Sequence, residues 1–244
     1  MEYFQFKKFK VKNVASAMKL GTDSVLLGAW APVHGSERRI LDVGTGTGVV
    51  ALMIAQRVPS LDGVRIDAID IDLPSVEEAS HNFGISPWSG ALRAIHTPLQ
   101  ELVAEPYDLI VSNPPYFVDS LKAPSARRSN TRHSDSLPHR DLIASAFSLL
   151  KQGGRMVVIL PKDEGEAFIR DAELYHIGKS LSSRLQLTRL CKVSTVSRKP
   201  PKRYIMEFVL ISKNQSVASQ EPESISMNGD DRYVDLMRDY LITF

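Results

Sequence analysis

The chain has 244 residues, 43% hydrophobic and 24% charged, enough to bury a substantial core as one large domain or two small ones, and too apolar for disorder. A single cysteine, Cys191, excludes an internal disulfide, and four lysines in the first twelve residues lead into no apolar signal segment. No apolar run nears the roughly 20 residues that cross a bilayer, so the expected setting is cytoplasmic, and the net charge of +2, taken whole, says little.

Apolar runs bounded by turn residues alternate with segments of helical period. Arg39 to Val43 is a short buried-type strand ending in glycines, and Thr47 to Val58 is a helix stopped by Pro59. Arg65 to Ile71 is a second strand ending in acids, Leu73 to Asn82 a helix opened near Pro74, and Arg93 to His96 a weak third strand. Tyr107 to Ser112 is a fourth strand, broken by Pro114 and Pro115. Leu142 to Leu150 reads as a helix with a Gly153-Gly154 stop, Arg155 to Leu160 as a fifth strand, and Asp163 to Tyr175 as another helix. Strands alternating with helices predict an α/β fold, a mostly parallel sheet with helices on both faces. Leu185 to Val196 and Tyr204 to Ser212 flank Ser-Arg-Lys-Pro-Pro-Lys-Arg as a long antiparallel hairpin at the sheet edge. Residues 213–231, rich in Ser, Asn, Gln and acids, read as a loop.

Two turns carry the chemistry. Asp42-Val43-Gly44-Thr45-Gly46-Thr47-Gly48 sits between strand and helix, where backbone must approach a ligand closely. A dinucleotide site would show G-x-G-x-x-G facing pyrophosphate, but Val49 stands at its last position. Asp42 opposes a pyrophosphate and suits a ligand bearing an ammonium or sulfonium group. Asp70 is placed to accept hydrogen bonds from both ribose hydroxyls of a nucleoside derivative, with Asp72 the neighbouring candidate. This D-x-G-x-G-x-G run resembles motif one of the class I S-adenosylmethionine-dependent methyltransferases.

The second turn, Asn113-Pro114-Pro115-Tyr116, follows the fourth strand, where the carboxyl-end crevice of such a sheet holds its ligand. Two prolines stiffen the turn and would hold the Asn113 amide oxygen and the Pro114 carbonyl as paired acceptors. The two hydrogens of a planar amine such as adenine N6 match them, and Tyr116 offers a face on which the base can stack. Acceptors that hold those hydrogens out of plane would aim the nitrogen lone pair at a sulfonium methyl, so catalysis is mostly positioning.

The turn resembles the N-P-P-Y motif of amino-methyltransferases. A narrower likeness lies in Phe6-Lys7-Lys8-Phe9-Lys10-Val11 and Ala17 to Trp30 (AMKLGTDSVLLGAW), which look like the opening block of the bacterial valine-tRNA adenine-N6 methyltransferases. The likeness continues through Asp42 to Gly48, Asn113 to Tyr116, Arg128 to His133, the Pro-Pro-Lys-Arg hairpin and Tyr233 to Phe244. It implies a seven-stranded Rossmann-like sheet over residues 36–244, preceded by a cofactor-lid and RNA-contact extension over 1–35. It also implies methyl transfer from S-adenosylmethionine to the adenosine 3′ of the anticodon, position 37, of valine tRNA; with one cysteine no metal-site spacing is present, and of the oligomeric states, which the residues leave open, a monomer is favoured. Lys19, Gly21, Thr22 and Asp23 would form the lid over the methionine end of the cofactor, with a plain helix N-cap at Thr22 or Asp23 compatible with that role. Gly44, Gly46, Gly48, Asp42, Asp70 and Asn113 would complete the cofactor site. One departure stands out, because the family commonly has an acid for the cofactor adenine where this chain has Thr97-Pro98-Leu99-Gln100-Glu101. Either Gln100 or a backbone group takes that role, or the cofactor binds more weakly.

The positive charge is segregated. Residues 1–20 carry five lysines against Glu2, residues 119–140 five basic against two acidic side chains, and residues 184–203 seven basic and none acidic. A polyanion partner explains this if folding gathers the segments on one face, and three solvated loops are the alternative. Arg127, Arg128, Arg132, His133, His139 and Arg140 would border a flipped nucleotide, and Arg198, Lys199, Lys202 and Arg203 a second stretch of backbone. Trp30 and Trp88 read as packing residues. The competing activities are a protein-glutamine methyltransferase, which presents the same planar amine, a DNA adenine methyltransferase, and a non-catalytic RNA-binding subunit.

Overall fold

The structure, a computed structural model, describes residues 2–115 and 137–242. A small antiparallel pair, β1 (Tyr3–Gln5) and β2 (Lys10–Lys12), leads to α1 (Thr22–Trp30). The alternation then runs β3 (Arg39–Val43), α2 (Val49–Arg57), β4 (Arg65–Asp70), α3 (Leu73–Gly84), β5 (Leu92–His96), a 3-10 turn (Leu99–Glu101) and β6 (Tyr107–Ser112). After the undescribed stretch come α4 (His139–Leu149), β7 (Leu150–Pro161), α5 (Lys162–Lys179), β8 (Ser183–Val196), β9 (Arg203–Ser212), β10 (Glu223–Asn228) and α6 (Asp231–Met237).

Eight of these strands form one sheet in the order β10-β8-β9-β7-β6-β3-β4-β5. Only β9 runs against its neighbours, pairing antiparallel with both β7 and β8. Alternate residues along each strand serve opposite faces, as the pleat requires. Ile40, Ile66, Leu109, Val111 and Val157 pack with α1, α2 and the N-terminal Phe6, Phe9 and Val11. Leu41, Ile69, Ile110, Met156 and Val158 pack with α4 and α5. Central strands buried on both faces explain why β3 and β6 are nearly unbroken apolar runs. Trp30 is buried in the first of these clusters and Trp88 packs against it, as expected of packing residues.

Three expectations need correction. The sheet has eight strands, not seven, because Glu223–Asn228, inside the stretch read as loop, pairs in parallel with Cys191 to Val196 of β8. The antiparallel hairpin therefore lies one strand in from the edge. Its cover is hard to see in a polar sequence, since only Ile225 and Met227 are apolar, and the strand is held by distant polar groups instead. Glu223 accepts from Trp30 Nε1 at 2.6 Å, and Arg189 lies 4.0 Å over the Trp30 ring while reaching Glu223 and Glu207. Strand β7 also starts at Leu150, ahead of the Gly153-Gly154 pair expected to stop the preceding helix. Finally, the cap of α1 is Gly21, with no side-chain cap at Thr22 or Asp23.

Candidate active site

The carboxyl ends of β3, β4 and β6 come level, with Val43 opposite both Ile69 and Ser112, and the Ser112 hydroxyl donates to Val43 O at 3.0 Å. Above them lies a cavity of about 370 Å³ lined by Gly44, Gly46, Asp70, Leu99, Pro114 and Pro115 among others. The two turns singled out by their sequence thus face each other across one space.

The glycine turn is built by three left-handed residues, Gly44 (φ 70°), Gly46 (φ 53°) and Gly48 (φ 81°), a conformation costly to side chains. They serve different ends. A Cβ at Gly44 would meet no protein atom within 4 Å, so this residue opens the cavity floor. A Cβ at Gly46 would come within 3.3 Å of Ser16 Oγ, and one at Gly48 within 2.5 Å of the Phe83 ring. The third glycine is thus a packing requirement rather than a ligand contact. The N–H groups of Gly44 and Thr45 donate to Ile69 O at 2.9 and 3.0 Å, tying the turn to β4.

Asp70, at the end of β4, accepts from the Gly46 N–H through Oδ2 and from the Asp72 N–H through Oδ1, both at 2.9 Å. A carboxylate has about four acceptor sites, so capacity remains on the cavity side for a pair of ribose hydroxyls. Burial holds its carboxyl above the usual range, against those two amides. The neighbouring candidate, Asp72, has another duty as the N-cap of α3, accepting from Ser75 N–H at 3.0 Å and the Ser75 hydroxyl at 2.6 Å, worth about 1 kcal/mol. Asp42 is 1% exposed and accepts from the Thr45 hydroxyl at 2.7 Å. Burial pushes its carboxyl up to about 7, with the Thr45 hydroxyl and the Ala51 N–H pulling down and the Asp70 charge pushing up.

The wall on the α3 side comes from residues 13–20. Glu78 of α3 accepts from three successive N–H groups, Val14 at 2.7, Ala15 at 2.8 and Ser16 at 2.9 Å, while the Ser75 hydroxyl takes the Ala17 N–H at 3.2 Å. Those amides outweigh burial and hold the Glu78 carboxyl below its usual range. Ala17 and Met18 line the cavity, whereas Lys19 turns its ammonium to Val14 O and Gly21 and Thr22 are exposed. No spacing in the sequence pointed to Glu78. Gln100 lines the cavity, but its amide nitrogen donates to Asp141 of α4 at 2.7 Å.

Asn113 is 7% exposed, and its Nδ2 donates to Ser24 Oγ of α1 at 2.9 Å. Next to Ser24, Asp23 pairs with Arg203 at 2.8 Å, so a residue expected over the cofactor and one expected on RNA meet each other. Arg198, Lys199 and Lys202 are exposed at the tip between β8 and β9. Because β9 is reversed, with Arg203 opposite Pro161 at the end of β7, that tip lies at the carboxyl edge with the cavity. Tyr116, Arg127, Arg128, Arg132 and His133 lie outside the described residues.

Among the described residues, Lys7 and Lys12 of the first basic segment lie away from the hairpin tip, and most of the second segment falls outside the described residues. Lys12 N–H donates to Asn82 Oδ1 at 2.7 Å near the far end of α3, ten residues and about 15 Å along the helix from its cap beside the cavity. Lys7 turns its ammonium to Arg238 O at the same far side. Within the third segment Arg189 is engaged by Glu207 and Glu223, which leaves the tip as its outward-facing part. Among the described residues no cluster could hold a metal ion, and no helix is long and apolar enough to cross a membrane.

A parallel sheet with one reversed strand, a glycine turn and ribose-ready acid after adjacent strands, and an Asn-Pro-Pro turn across the cavity define a class I S-adenosylmethionine-dependent methyltransferase. The cavity fits that cofactor, with an open floor at Gly44, a carboxylate for the ribose at Asp70 and an apolar rim of Ile71, Pro98 and Leu99. Residues 7–172 match the family model described as methyltransferase small domain. A relative from Tolumonas auensis, named tRNA1(Val) (adenine(37)-N6)-methyltransferase, is 39% identical over 94% of this chain and 91% of its own. One of the same name from Bacteroides thetaiotaomicron is 40% identical over 98% and 97%. A crystal structure from Agrobacterium tumefaciens, described as a predicted O-methyltransferase, shares the fold with a TM-score of 0.59 at 15% identity, covering 89% of this chain and 96% of that one. The chain belongs to the tRNA1(Val) (adenine(37)-N6)-methyltransferase family within the methyltransferase small domain group.

Proposed function

We infer that this protein methylates the exocyclic N6 of adenosine 37, the nucleotide 3′ of the anticodon, in valine tRNA. The observation that carries the reading is the Asn113-Pro114-Pro115 turn, set across the cavity from the glycine turn and Asp70 in a chain of this family. When bound, S-adenosylmethionine supplies an electrophilic methyl group on a sulfonium. Gly44, Gly46 and Asp70 would hold it, with Asp42 beneath. Asn113 Oδ1 and the Pro114 carbonyl would accept the two amine hydrogens and turn the nitrogen lone pair toward the methyl, and Tyr116 would stack on the base. The amine gains a methyl and gives a proton to water, so the residues act by orientation rather than by proton transfer.

RNA would reach this edge along the exposed Arg198, Lys199 and Lys202, joined by Arg127, Arg128, Arg132 and His133. Arg203 would act at the root of the hairpin through Asp23. Residues 1–35 would serve as lid and as a second, more distant RNA contact, and the protein would work in the cytoplasm as a monomer. The test is transfer from labelled cofactor to unmodified tRNA, to release factor and to DNA, followed by nucleoside and amino-acid analysis. N6-methyladenosine at position 37 of valine tRNA is the expected product, and N5-methylglutamine or no transfer overturns the reading.

A further inference from the structure

We propose that Glu78 is a positioning residue for the cofactor, holding residues 14–17 in place as one wall of its cavity. The proposal rests on the cofactor assignment and is independent of which RNA is modified. Gly44 to Gly48 make the cavity floor from contiguous backbone, but the wall beside it does not hold itself. Val14, Ala15, Ala17 and Met18 are all exposed, and only Ser16 among residues 14–18 is buried. With no apolar side chain sunk into the core, the stretch takes its position from hydrogen bonds.

Those bonds come from one side of α3. Ser75, Glu78 and Asn82, on successive turns of the helix, are 1%, 4% and 0% exposed and share one face. Asn82 takes the Lys12 N–H at 2.7 Å and donates to its carbonyl at 3.0 Å. Glu78 takes the N–H groups of Val14, Ala15 and Ser16, and the Ser75 hydroxyl that of Ala17. The chain thus climbs α3 by its backbone, from the far end of the helix to the cavity. Successive amides converging on one point form a concave nest for an anion, and an ionised acceptor makes each bond stronger than a neutral one would. The wall rests on the glycine turn itself, because Ser16 Oγ and Met18 O are what a Cβ at Gly46 would meet, at 3.3 and 3.6 Å. Ala17 and Met18 then face the cavity. Without the carboxylate the stretch would loosen, and binding would have to reorder it at a cost in affinity.

The test compares Glu78→Gln with Glu37→Gln, each of which replaces a buried carboxylate by its amide. Glu37 is 2% exposed, accepts from the His34 N–H at 3.1 Å and pairs with Arg155. It lies just before β3, at the end of the sheet opposite the cavity. In Glu78→Gln an N–H group replaces one of the oxygens that gather the three amides. Affinity for S-adenosylmethionine by calorimetry should then fall about 10- to 100-fold, the worth of one hydrogen bond to a charged group. Glu37→Gln should lower the melting temperature and leave that affinity as in the wild type. Hydrogen exchange in cofactor-free protein should quicken at the amides of residues 14–16 in Glu78→Gln and not in Glu37→Gln. In methyl transfer the KM for cofactor should rise while kcat at saturation stays within a few-fold. Should Glu78→Gln not fold, Glu78→Asp, with the charge on a shorter arm, decides by the same comparison. Wild-type cofactor affinity in the Glu78 variant, an equal loss in Glu37→Gln, or a loss confined to kcat overturns the proposal. Absence of tRNA methylation by the wild type would sink the functional reading alone, since affinity and exchange are read without turnover.

Discussion

The two halves of the carboxyl edge are built in opposite ways. Around β3 and β4 the polar groups are committed to one another over short spans, Asp42 to Thr45 and Asp70 to Gly46 and Asp72. Around β6 and β9 they are joined over long ones, Asn113 to Ser24 and Arg203 to Asp23, 89 and 180 residues apart, and the tip cations Arg198, Lys199 and Lys202 point into solvent. A cofactor pocket used the same way in every turnover can be written as contiguous backbone geometry. The side that on the proposed reading receives a large polyanion keeps its charges exposed and takes its precision from distant supports.

Substitution should separate the halves. The largest effect belongs to Asn113→Ala, which would remove one acceptor of the proposed pair. Transfer to tRNA should fall below detection while calorimetry still shows cofactor binding, and wild-type turnover would refute the paired-acceptor geometry. Next comes Gly48→Ala, where a left-handed φ and a Cβ 2.5 Å from the Phe83 ring should cost about 2–4 kcal/mol of stability in denaturant titrations. Gly44→Ala, with open space around its Cβ, should cost about 1 kcal/mol for the backbone and mainly weaken cofactor binding. Similar stability losses in both would mean that the glycines do not have separate jobs.

Smaller effects sharpen the contrast. Replacing Arg198 and Lys199 together by Ala should weaken tRNA binding and flatten its dependence on the logarithm of salt concentration by about 1–2 units, with cofactor affinity unchanged. An unaltered slope would remove the tip from the interface. The last effect is one of pH. Because burial raises the Asp42 carboxyl to about 7, against about 3.9 in an unfolded chain, the folded protein holds the extra proton between these values. Asp42 thus loses stability for the fold as pH rises from about 4 to 7. Asp42→Asn should melt close to wild type near pH 4 and several degrees higher at pH 8 in cofactor-free protein. A constant difference across that range would show that Asp42 is not protonated in the fold.

The same contrast governs what could be read from residues alone. Of the motifs contiguous in sequence, Val43, Gly44 and Gly46 of the first turn and Pro114 and Pro115 of the second line the cavity, because there the backbone itself makes the wall. Glu78 and Ser24 escaped notice, since a carboxylate gathering three amides or a serine receiving one carboxamide has no spacing to announce it. Strand β10 was missed for a related reason. Its hold comes from Trp30 and Arg189, and an alternation of only two apolar side chains falls below what marks a strand. Charge segregation singled out residues 184–203, but summing charges could not show that Arg189 and Arg203 are spent on Glu207, Glu223 and Asp23.

The reversal of β9 also frees one part of the molecule to change. Val193 and Arg203 are the last paired residues of the hairpin, and β8 stays paired with β10 as far as Val196, so the tip of residues 197–201 beyond them pairs with no strand and lines no part of the cavity. Its length and composition can be exchanged without disturbing the fold. On the proposed reading of the tip as an RNA contact, grafting other basic or aromatic tips onto this base would retune which RNA is admitted while the fold beneath stays as it is, and the hairpin would be an interchangeable reading head.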